Sequence, residues 1–218
     1  MFVLRSEQTI SPGKTADYLV YQASSMEAVQ QQPGFLWDIR MIYLGNYARR
    51  LIYQAWESRE ARLNYSRGSA WVRAPQHLLA GPALSEFYDI LAETQDASLA
   101  AGHCAVDRHF RVSNGCQQEF EALEAGLSDL AKGQEGFVAR HSLKFSGNDT
   151  SYMRVSIWES WADLEQWIAT PAYAGENDAI LSRVVWTSAD RYEIEAVASN
   201  VPEREALDRL NWEALIPR

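Results

Sequence analysis

The stretch GNYARRLIYQAWES, from Gly45 to Ser58, has a counterpart in GNDTSYMRVSIWES, from Gly147 to Ser160. Both stretches begin with Gly-Asn and end with Trp-Glu-Ser, and the nine residues between these ends differ at every position. Gly34-Phe35 and Gly136-Phe137 form a third matching pair, and the members of all three pairs are 102 positions apart. Three matches at one spacing, without a gap, indicate a duplicated domain.

The composition sets limits on the class of protein. The chain has 218 residues, of which 47% are hydrophobic, and a formal net charge of −9. This length suits two domains of about a hundred residues each. An acidic balance argues against nucleic acid or an anionic membrane as a partner, because cations make most phosphate contacts. The start of the chain lacks the pattern of a secretory signal, and two cysteines imply no disulfide framework, so we expect a cytoplasmic protein.

Each copy has the same predicted series of elements. In the first copy we expect a strand over Met1–Ile10, a helix over Lys14–Gln31, a hairpin of Phe35–Leu44 and Tyr47–Trp56, a helix after Ser58, and a closing strand over Glu86–Thr94. The second copy repeats this series, with a strand over Ala105–Val112, a helix over Gln117–Lys132 and a closing strand over Val184–Ala196. The order β-α-β-β-α-β, present twice, predicts two ferredoxin-like repeats.

The predicted organisation is a first repeat over residues 1–96, a second over 103–200, and a C-terminal helical extension over 201–218. Strict alternation would place Phe35, Trp37, Ile39, Met41 and Tyr43 on one face of the first hairpin strand. Its other face also carries apolar residues, so both faces of each sheet need cover. We therefore predict an α+β fold in which the repeats pack sheet to sheet as an intramolecular dimeric α+β barrel. At both hairpin turns, Gly-Asn suggests positive φ angles.

The Gly-Phe pair, the hairpin and the Trp-Glu-Ser that opens a helix resemble the antibiotic biosynthesis monooxygenase superfamily. Its members are dimeric α+β barrels of subunits of about a hundred residues. The resemblance implies that this chain contains its own dimer partner, with further homodimerisation left open. It also implies a monooxygenase, although the same fold carries haem degraders, isomerases and cyclases, and proteins without known activity.

The resemblance directs attention to aromatic residues behind the repeated motif. Trp167 follows Trp158 by nine positions, and Tyr65 stands at the matching place in the first repeat. In related proteins a Trp at this place lines the cavity between helices and sheet. We therefore expect Trp167 to be catalytic and Tyr65 and Trp158 to contact the substrate, with packing in an amphipathic helix as the alternative.

Two histidines are candidate general bases. His109 shares a strand face with Asp107, whose carboxylate could orient the imidazole. His141 falls on the face that carries Phe137, so we expect it to point toward the helices and the cavity. We favour the second repeat as the working site, because His141 replaces the Ile39 of the first.

Other polar residues complete the predicted site. Arg5 and Arg40 are candidates to hold an anionic oxygen of the substrate. Asn177 occupies the position at which haem-degrading relatives carry an axial His, and Pro75 is its counterpart in the first repeat. Haem binding therefore remains the alternative to a reaction without cofactor. His103 and Cys104 could join Asp107 and His109 in a metal cluster, but the alternation of the strand separates them, and we predict no metal.

The expected function is a cofactor-independent monooxygenase that oxidises an aromatic or polyketide-like metabolite, of the anthrone or phenol to quinone type, with O₂. Such a reaction needs a base, donors for a developing oxyanion and a dry cavity. The remaining alternatives are a ligand-binding or accessory barrel without catalytic activity, and a cyclase or isomerase on the same fold.

Overall fold

The computed structural model describes residues 1–199, so the predicted extension over 201–218 lies outside the described residues. The described chain divides into two compact units: unit 1 comprises Met1–Glu86 and the residues from Ile194 onward, and unit 2 comprises Phe87–Glu193. The predicted repeat boundaries, 1–96 and 103–200, remain a prediction. None of the helices within residues 1–199 is long and apolar enough to cross a membrane.

The predicted order of elements is confirmed. The first repeat contains β1 (Phe2–Thr9), α1 (Thr15–Gln30), β2 (Phe35–Tyr43), β3 (Arg49–Trp56), α2 (Arg59–Arg67), a short 3₁₀ turn (Gln76–Leu78) and β4 (Leu84–Gln95). The second contains β5 (Cys104–Val112), α3 (Gln117–Ala131), β6 (Phe137–Phe145), β7 (Ser151–Trp158), α4 (Trp161–Ile168), α5 (Pro171–Leu181) and β8 (Val184–Ser199). The fold is α+β, with two ferredoxin-like repeats and antiparallel strand pairs.

The two repeats match position by position. The buried residues of α1 are Tyr18, Gln22, Ser25, Met26 and Val29. Those of α3 are Phe120, Glu124, Leu127, Ser128 and Ala131, each 102 positions later. The two helices therefore turn the same positions inward, and one pair differs in charge, since Glu124 stands where the first repeat has Gln22.

The Gly-Asn turns form for a different reason from the one predicted. Within residues 1–199 no residue other than glycine has a positive φ, and Gly45 and Gly147 are not among the glycines that have one. A Cβ at Gly45 would lie 2.6 Å from the Tyr43 ring, and one at Gly147 would lie 2.3 Å from the Phe145 ring. Glycine is therefore required by the close approach of an aromatic ring.

The asparagines of these turns act through their side chains. Asn46 Oδ1 accepts a hydrogen bond from the Ala48 backbone N–H at 3.0 Å. Asn148 Oδ1 accepts from the backbone N–H groups of Thr150 at 3.1 Å and Ser151 at 2.8 Å. These local bonds hold the turn in the way that Asx turns do.

The repeated Trp-Glu-Ser is a junction between strand and helix, as predicted. Ser58 and Ser160 cap α2 and α4, since their side-chain oxygens accept from Ala61 N–H at 3.1 Å and Asp163 N–H at 3.3 Å. The Glu57 N–H donates to the Gly34 carbonyl at 2.8 Å, and the same bond joins Glu159 and Gly136 in the second repeat. The motif therefore ties the end of one hairpin strand to the start of the other.

Both hairpins contain a β-bulge that strict alternation does not predict. The register of β2 against β3 shifts between Phe35 and Trp37, and that of β6 against β7 shifts at the equivalent place, between Phe137 and Ala139. A bulge adds one residue to its strand and reverses the facing of the residues that follow. The prediction that Phe35 shares a face with Trp37 is therefore wrong.

The bulge turns a charged pair inward in unit 1. Asp38 and Arg40 lie on the helix side of β2, with 0% and 1% of the residue exposed. Arg40 Nε and Nη2 donate to Asp38 Oδ1 at 2.7 Å and Oδ2 at 2.6 Å, and Gln54 Nε2 donates to Oδ2 at 2.8 Å. Although burial opposes it, the Asp38 carboxylate raises the pKa of Arg40 above its ordinary value. The pair is thus fixed and neutral as a whole.

Two long strands divide between the units. Strand β4 begins in unit 1, and its residues from Tyr88 to Gln95 pair with β6 in unit 2. Strand β8 begins in unit 2, where it pairs with β5. In unit 1, Ala196 and Ala198 of β8 pack into the core with Phe35 and Trp56. Each unit is therefore completed by a strand whose other part belongs to the other unit.

Replacing Gly147 with Ala should destabilise the protein by about 1–3 kcal/mol, because the new methyl group overlaps the Phe145 ring. The free energy of unfolding in urea measures this effect. Gly126→Ala is the matched control: it lies within α3, and a methyl group added there would have no other atom within 4 Å, so it should be neutral or stabilising. Equal losses of stability in Gly147→Ala and Gly126→Ala would contradict overlap with the Phe145 ring as the cause.

Replacing Asp38 with Asn should cost about 3–5 kcal/mol, because Arg40 would keep its charge in a buried place without its carboxylate. The same urea experiment measures it. Asp17→Asn removes an exposed carboxylate that contacts Lys14 at 3.1 Å, and it should change stability little. A loss below about 1 kcal/mol for Asp38→Asn would show that Arg40 finds another partner.

Candidate active site

The largest described cavity lies within unit 1 and has a volume of about 570 Å³. It is bounded by α1, by the sheet of β1, β3 and β2, and by the segment that leads from α2 to β4. This volume falls within the range of pockets that hold small organic ligands. Its polar lining includes Ser6, Tyr21, Arg40, Gln54, Arg62 and Tyr65.

The two repeats differ in the segment beside this cavity. In unit 2, α5 covers the space behind α4, beginning at Thr170, whose Oγ1 accepts from the Tyr173 N–H at 3.1 Å. Asn177, in the middle of α5, corresponds to Pro75 in the first repeat. A proline inside a helix removes a hydrogen bond and clashes with the preceding turn. The first repeat accordingly has a 3₁₀ turn at Gln76–Leu78 in place of that helix.

The cavity of unit 1 is cationic. Arg40 is neutralised by Asp38, and its Nη1 has no hydrogen-bond partner among the described residues. Arg62, half-buried in the wall, and Arg73, exposed at the rim, have no carboxylate within ion-pair distance in residues 1–199. Burial lowers the pKa of Arg62. A bound anion would supply the missing negative charge.

Aromatic rings form the apolar wall of the site. Tyr65 stacks on Trp56, with ring centroids 5.4 Å apart and planes 25° from parallel. The Arg62 guanidinium lies over both rings, 5.9 Å from the Trp56 centroid and 5.6 Å from that of Tyr65. Burial raises the pKa of Tyr65, whose hydroxyl also contacts the Val72 backbone, so this phenol stays protonated at neutral pH. It can donate a hydrogen bond to an anionic oxygen.

The candidate bases lie on the opposite side of a sheet from the helices. The bulge in β6 places His141 opposite Val155, whereas the helix side of β7 carries Tyr152 and Trp158. The expectation that His141 points toward the helices is therefore wrong. His141 is fully buried, and its Nε2 lies 3.4 Å from Glu93 Oε1. His109, on the same sheet face, lies 3.0 Å from Asp107 Oδ1, which agrees with the predicted pairing.

A smaller cavity of about 180 Å³ lies within unit 2, at the position predicted for the site. Trp158 and Trp167 line it, stacked with centroids 6.3 Å apart and planes 25° from parallel, as Trp56 and Tyr65 are in unit 1. Asn177 does not line it: its Oδ1 accepts from Arg108 Nη1 at 3.0 Å. Among the described residues that line this cavity there is no histidine.

The predicted residues therefore fall into separate groups. Arg40 and Tyr65 meet in unit 1, and Trp158 and Trp167 meet in unit 2. Arg5 lies outside the large cavity, 3.3 Å from Glu86. Sequence reasoning missed the arginines that line the cavities: Arg62, Arg73, Arg108, Arg140, Arg154 and Arg191. Comparison at the 102-residue spacing could have found some, since Arg154 replaces Ile52 and Arg140 replaces Asp38.

The lining of the large cavity does not fit haem. Among the described lining residues there is no imidazole, thiol or thioether. A tyrosine can hold haem iron as a phenolate, but the raised pKa of Tyr65 opposes its ionisation. Residues 1–199 also contain no group of three or more His, Cys, Asp or Glu placed to bind a metal, and His103 Nδ1 accepts from the Ala100 N–H at 3.3 Å.

Solved structures share this fold over nearly the whole chain. A monooxygenase candidate from Fusobacterium nucleatum is 10% identical, with a TM-score of 0.81 over 91% of this chain and 94% of its own. One from Lactobacillus acidophilus is 11% identical, with a TM-score of 0.78 over 91% and 95%. An anthrone oxidase-like protein is 18% identical, with a TM-score of 0.66 over 94% of both chains.

Sequence comparison gives a more specific result for the second repeat. No protein of curated function matches the chain at a significant level. Residues 103–175 match the family model described as antibiotic biosynthesis monooxygenase. This range includes the Gly-Phe pair, the hairpin and the Trp-Glu-Ser junction. Over residues 103–175 the chain therefore resembles the antibiotic biosynthesis monooxygenase family, which agrees with the resemblance that its paired motifs indicate.

Proposed function

We propose that the protein is a cofactor-independent monooxygenase that oxidises an anionic aromatic substrate of the anthrone or phenol type in the cavity of unit 1. The observation that carries this proposal is the combination of size, aromatic wall and unpaired cations in one cavity. The cavity of unit 2, with about 180 Å³, is too small for a polycyclic substrate.

The proposed reaction needs no redox group from the protein. An anthrone-type methylene carbon loses two hydrogens and becomes a carbonyl carbon, and one oxygen atom of O₂ enters that carbonyl. The second oxygen atom leaves as water with both hydrogens. The substrate supplies the four electrons that reduce O₂, so the balance is substrate plus O₂ to quinone plus water.

The role of the cavity is to favour the substrate anion. Loss of the first proton leaves negative charge on an oxygen of the ring system, and electron transfer to O₂ starts from that anion. Arg62 and the Nη1 of Arg40 can face this oxygen, and Tyr65 can donate to it. Donors fixed in advance in a site with little water stabilise such a charge more than bulk water does.

No histidine lines the cavity of unit 1 among the described residues, so the general base needs separate treatment. His141 and His109 remain the candidates that the sequence suggests, but neither lines the cavity of unit 1. With the substrate pKa lowered by two guanidinium groups, a water molecule in the cavity can accept the proton. We therefore assign the catalytic contribution to stabilisation of the anion, and we expect replacement of either histidine to leave most of the activity.

Aerobic incubation with an anthrone-type substrate tests the function. We expect uptake of O₂, measured with an oxygen electrode, and one quinone formed for each O₂ consumed, measured by absorbance. The rate must exceed that of the spontaneous reaction in a heat-denatured control. A set of anthrones and polyphenols that gives neither O₂ uptake nor quinone above this control would end the proposal for this substrate class.

Arg62→Gln should lower kcat/KM by about 10–100-fold, because one donor to the developing oxyanion is lost. Arg67→Gln, on the exposed surface of the same helix, is the matched control and should keep the parent rate. His141→Gln tests the alternative that this buried histidine, which lines neither cavity, is the base. A strong loss in His141→Gln together with full activity in Arg62→Gln would place the reaction outside the cavity of unit 1.

A further inference from the structure

The cavity of unit 2 differs from its counterpart in charge as well as in size. Three of its arginines occupy positions that are uncharged or negative in the first repeat: Arg108 corresponds to Ser6, Arg140 to Asp38, and Arg154 to Ile52. The backbone at these positions is equivalent, since the bulges agree and the hairpin strands of the two repeats have equal lengths. The arginines are therefore a property of this cavity and not of the fold.

These arginines carry more charge than the protein neutralises. Glu124 Oε2 lies 3.3 Å from Arg140 Nη2, and Glu124 Oε1 lies 2.9 Å from Arg154 Nη1. Arg108 bonds only neutral groups among the described residues, Thr187 at 3.3 Å and Asn177 at 3.0 Å among them. One carboxylate thus faces three guanidinium groups, of which Arg140 and Arg154 are 3% and 5% exposed.

The excess positive charge is costly to bury. Burial and the neighbouring Arg154 lower the pKa of Arg140 to about 9. Burial and Arg154 also lower the pKa of Arg108. Isolated buried charge is unfavourable unless a partner compensates it. A bound anion would be that partner.

Two buried donors point to the same conclusion. Arg140 Nε and Trp158 Nε1 have no hydrogen-bond partner in the part of the chain that the structure describes, and both residues line the cavity. Buried N–H groups of this kind nearly always have a partner in native proteins. An oxyanion can accept several such bonds at once, as carboxylates accept from arginine.

The remaining wall is aromatic. Trp167 stacks on Trp158, and Tyr173 meets Trp167 edge to face at 5.7 Å. Leu164 and Ile168 complete this side. The cavity therefore has a cationic side and a flat apolar side, which together fit a ligand with a carboxylate at one end and a ring at the other.

We propose that the cavity of unit 2 binds a small aromatic carboxylate, held by Arg108, Arg140 and Arg154 and packed on the indoles of Trp158 and Trp167. The volume of about 180 Å³ admits one substituted ring. This site is separate from the cavity assigned to oxidation, and its occupancy does not depend on the proposed reaction.

Titration of the full chain with sodium benzoate, followed by isothermal calorimetry and by the shift in melting temperature, tests the proposal. We expect saturable binding with one molecule per chain and a rise in melting temperature. Benzamide, which has the same ring without the charge, should bind at least tenfold more weakly. Inorganic phosphate, an anion without the ring, should also bind at least tenfold more weakly.

Arg154→Ile restores the residue of the first repeat and should weaken benzoate at least tenfold. Arg111→Ile is the matched control: it makes the same change at an exposed position of β5 that does not line the cavity, and it should keep parent affinity. Arg73→Gln, at the cavity of unit 1, should also keep it. If Arg154→Ile fails to fold, Arg108→Gln, at a half-buried position, replaces it in the test.

The results separate this proposal from the proposed function. The inference would be overturned if benzoate did not bind, or if benzamide or phosphate bound equally well. It would also be overturned if Arg73→Gln lost binding while Arg154→Ile kept it. None of these results depends on O₂ uptake or quinone formation. Conversely, absence of oxidation leaves the predicted benzoate affinities unchanged.

Discussion

The β-bulge after Phe35, repeated after Phe137, is the constraint on which the two cavities depend. One added residue turns the rest of each hairpin strand over, so that positions 38 and 40, and 140 and 142, face the helices. Without it, Asp38 and Arg140 would lie on the other face of their sheets. The bulge therefore places one arginine of each cavity, Arg40 in unit 1 and Arg140 in unit 2, on the helix side of its sheet.

The two repeats share this backbone but balance their buried charges in different ways. Unit 1 pairs Arg40 with Asp38 within one strand, which leaves a fixed and neutral group beside a large space. Unit 2 distributes one carboxylate, Glu124, between Arg140 and Arg154. The Asp38–Arg40 pair is complete without a ligand, whereas Glu124 leaves part of the positive charge on Arg140 and Arg154 unbalanced among the described residues.

Sequence reasoning predicted the elements well, because their signals are local. Ser58 and Ser160 cap the helices that follow them. Adding 102 to the number of each buried residue of α1 gives a buried residue of α3. Sequence reasoning failed at the β-bulges, which have no local signal in the sequence. The bulge leaves no trace in the pattern, because Leu36 and Val138 are apolar like their neighbours. The orientation of His141 was consequently inverted, and the arginines were visible only as mismatches between the repeats.

The difference in cavity size follows from the same comparison. Ile180 of α5 packs into the core of unit 2 and Tyr173 packs on Trp167, so a helix fills the space behind the paired aromatic rings. Pro75 stands where Asn177 lies in that helix, and the segment over residues 69–83 crosses unit 1 without forming one. Because proline is unfavourable inside a helix, Pro75 agrees with the absence of an α-helix in this segment. The cavity beside the segment measures about 570 Å³, against about 180 Å³ for the cavity in unit 2.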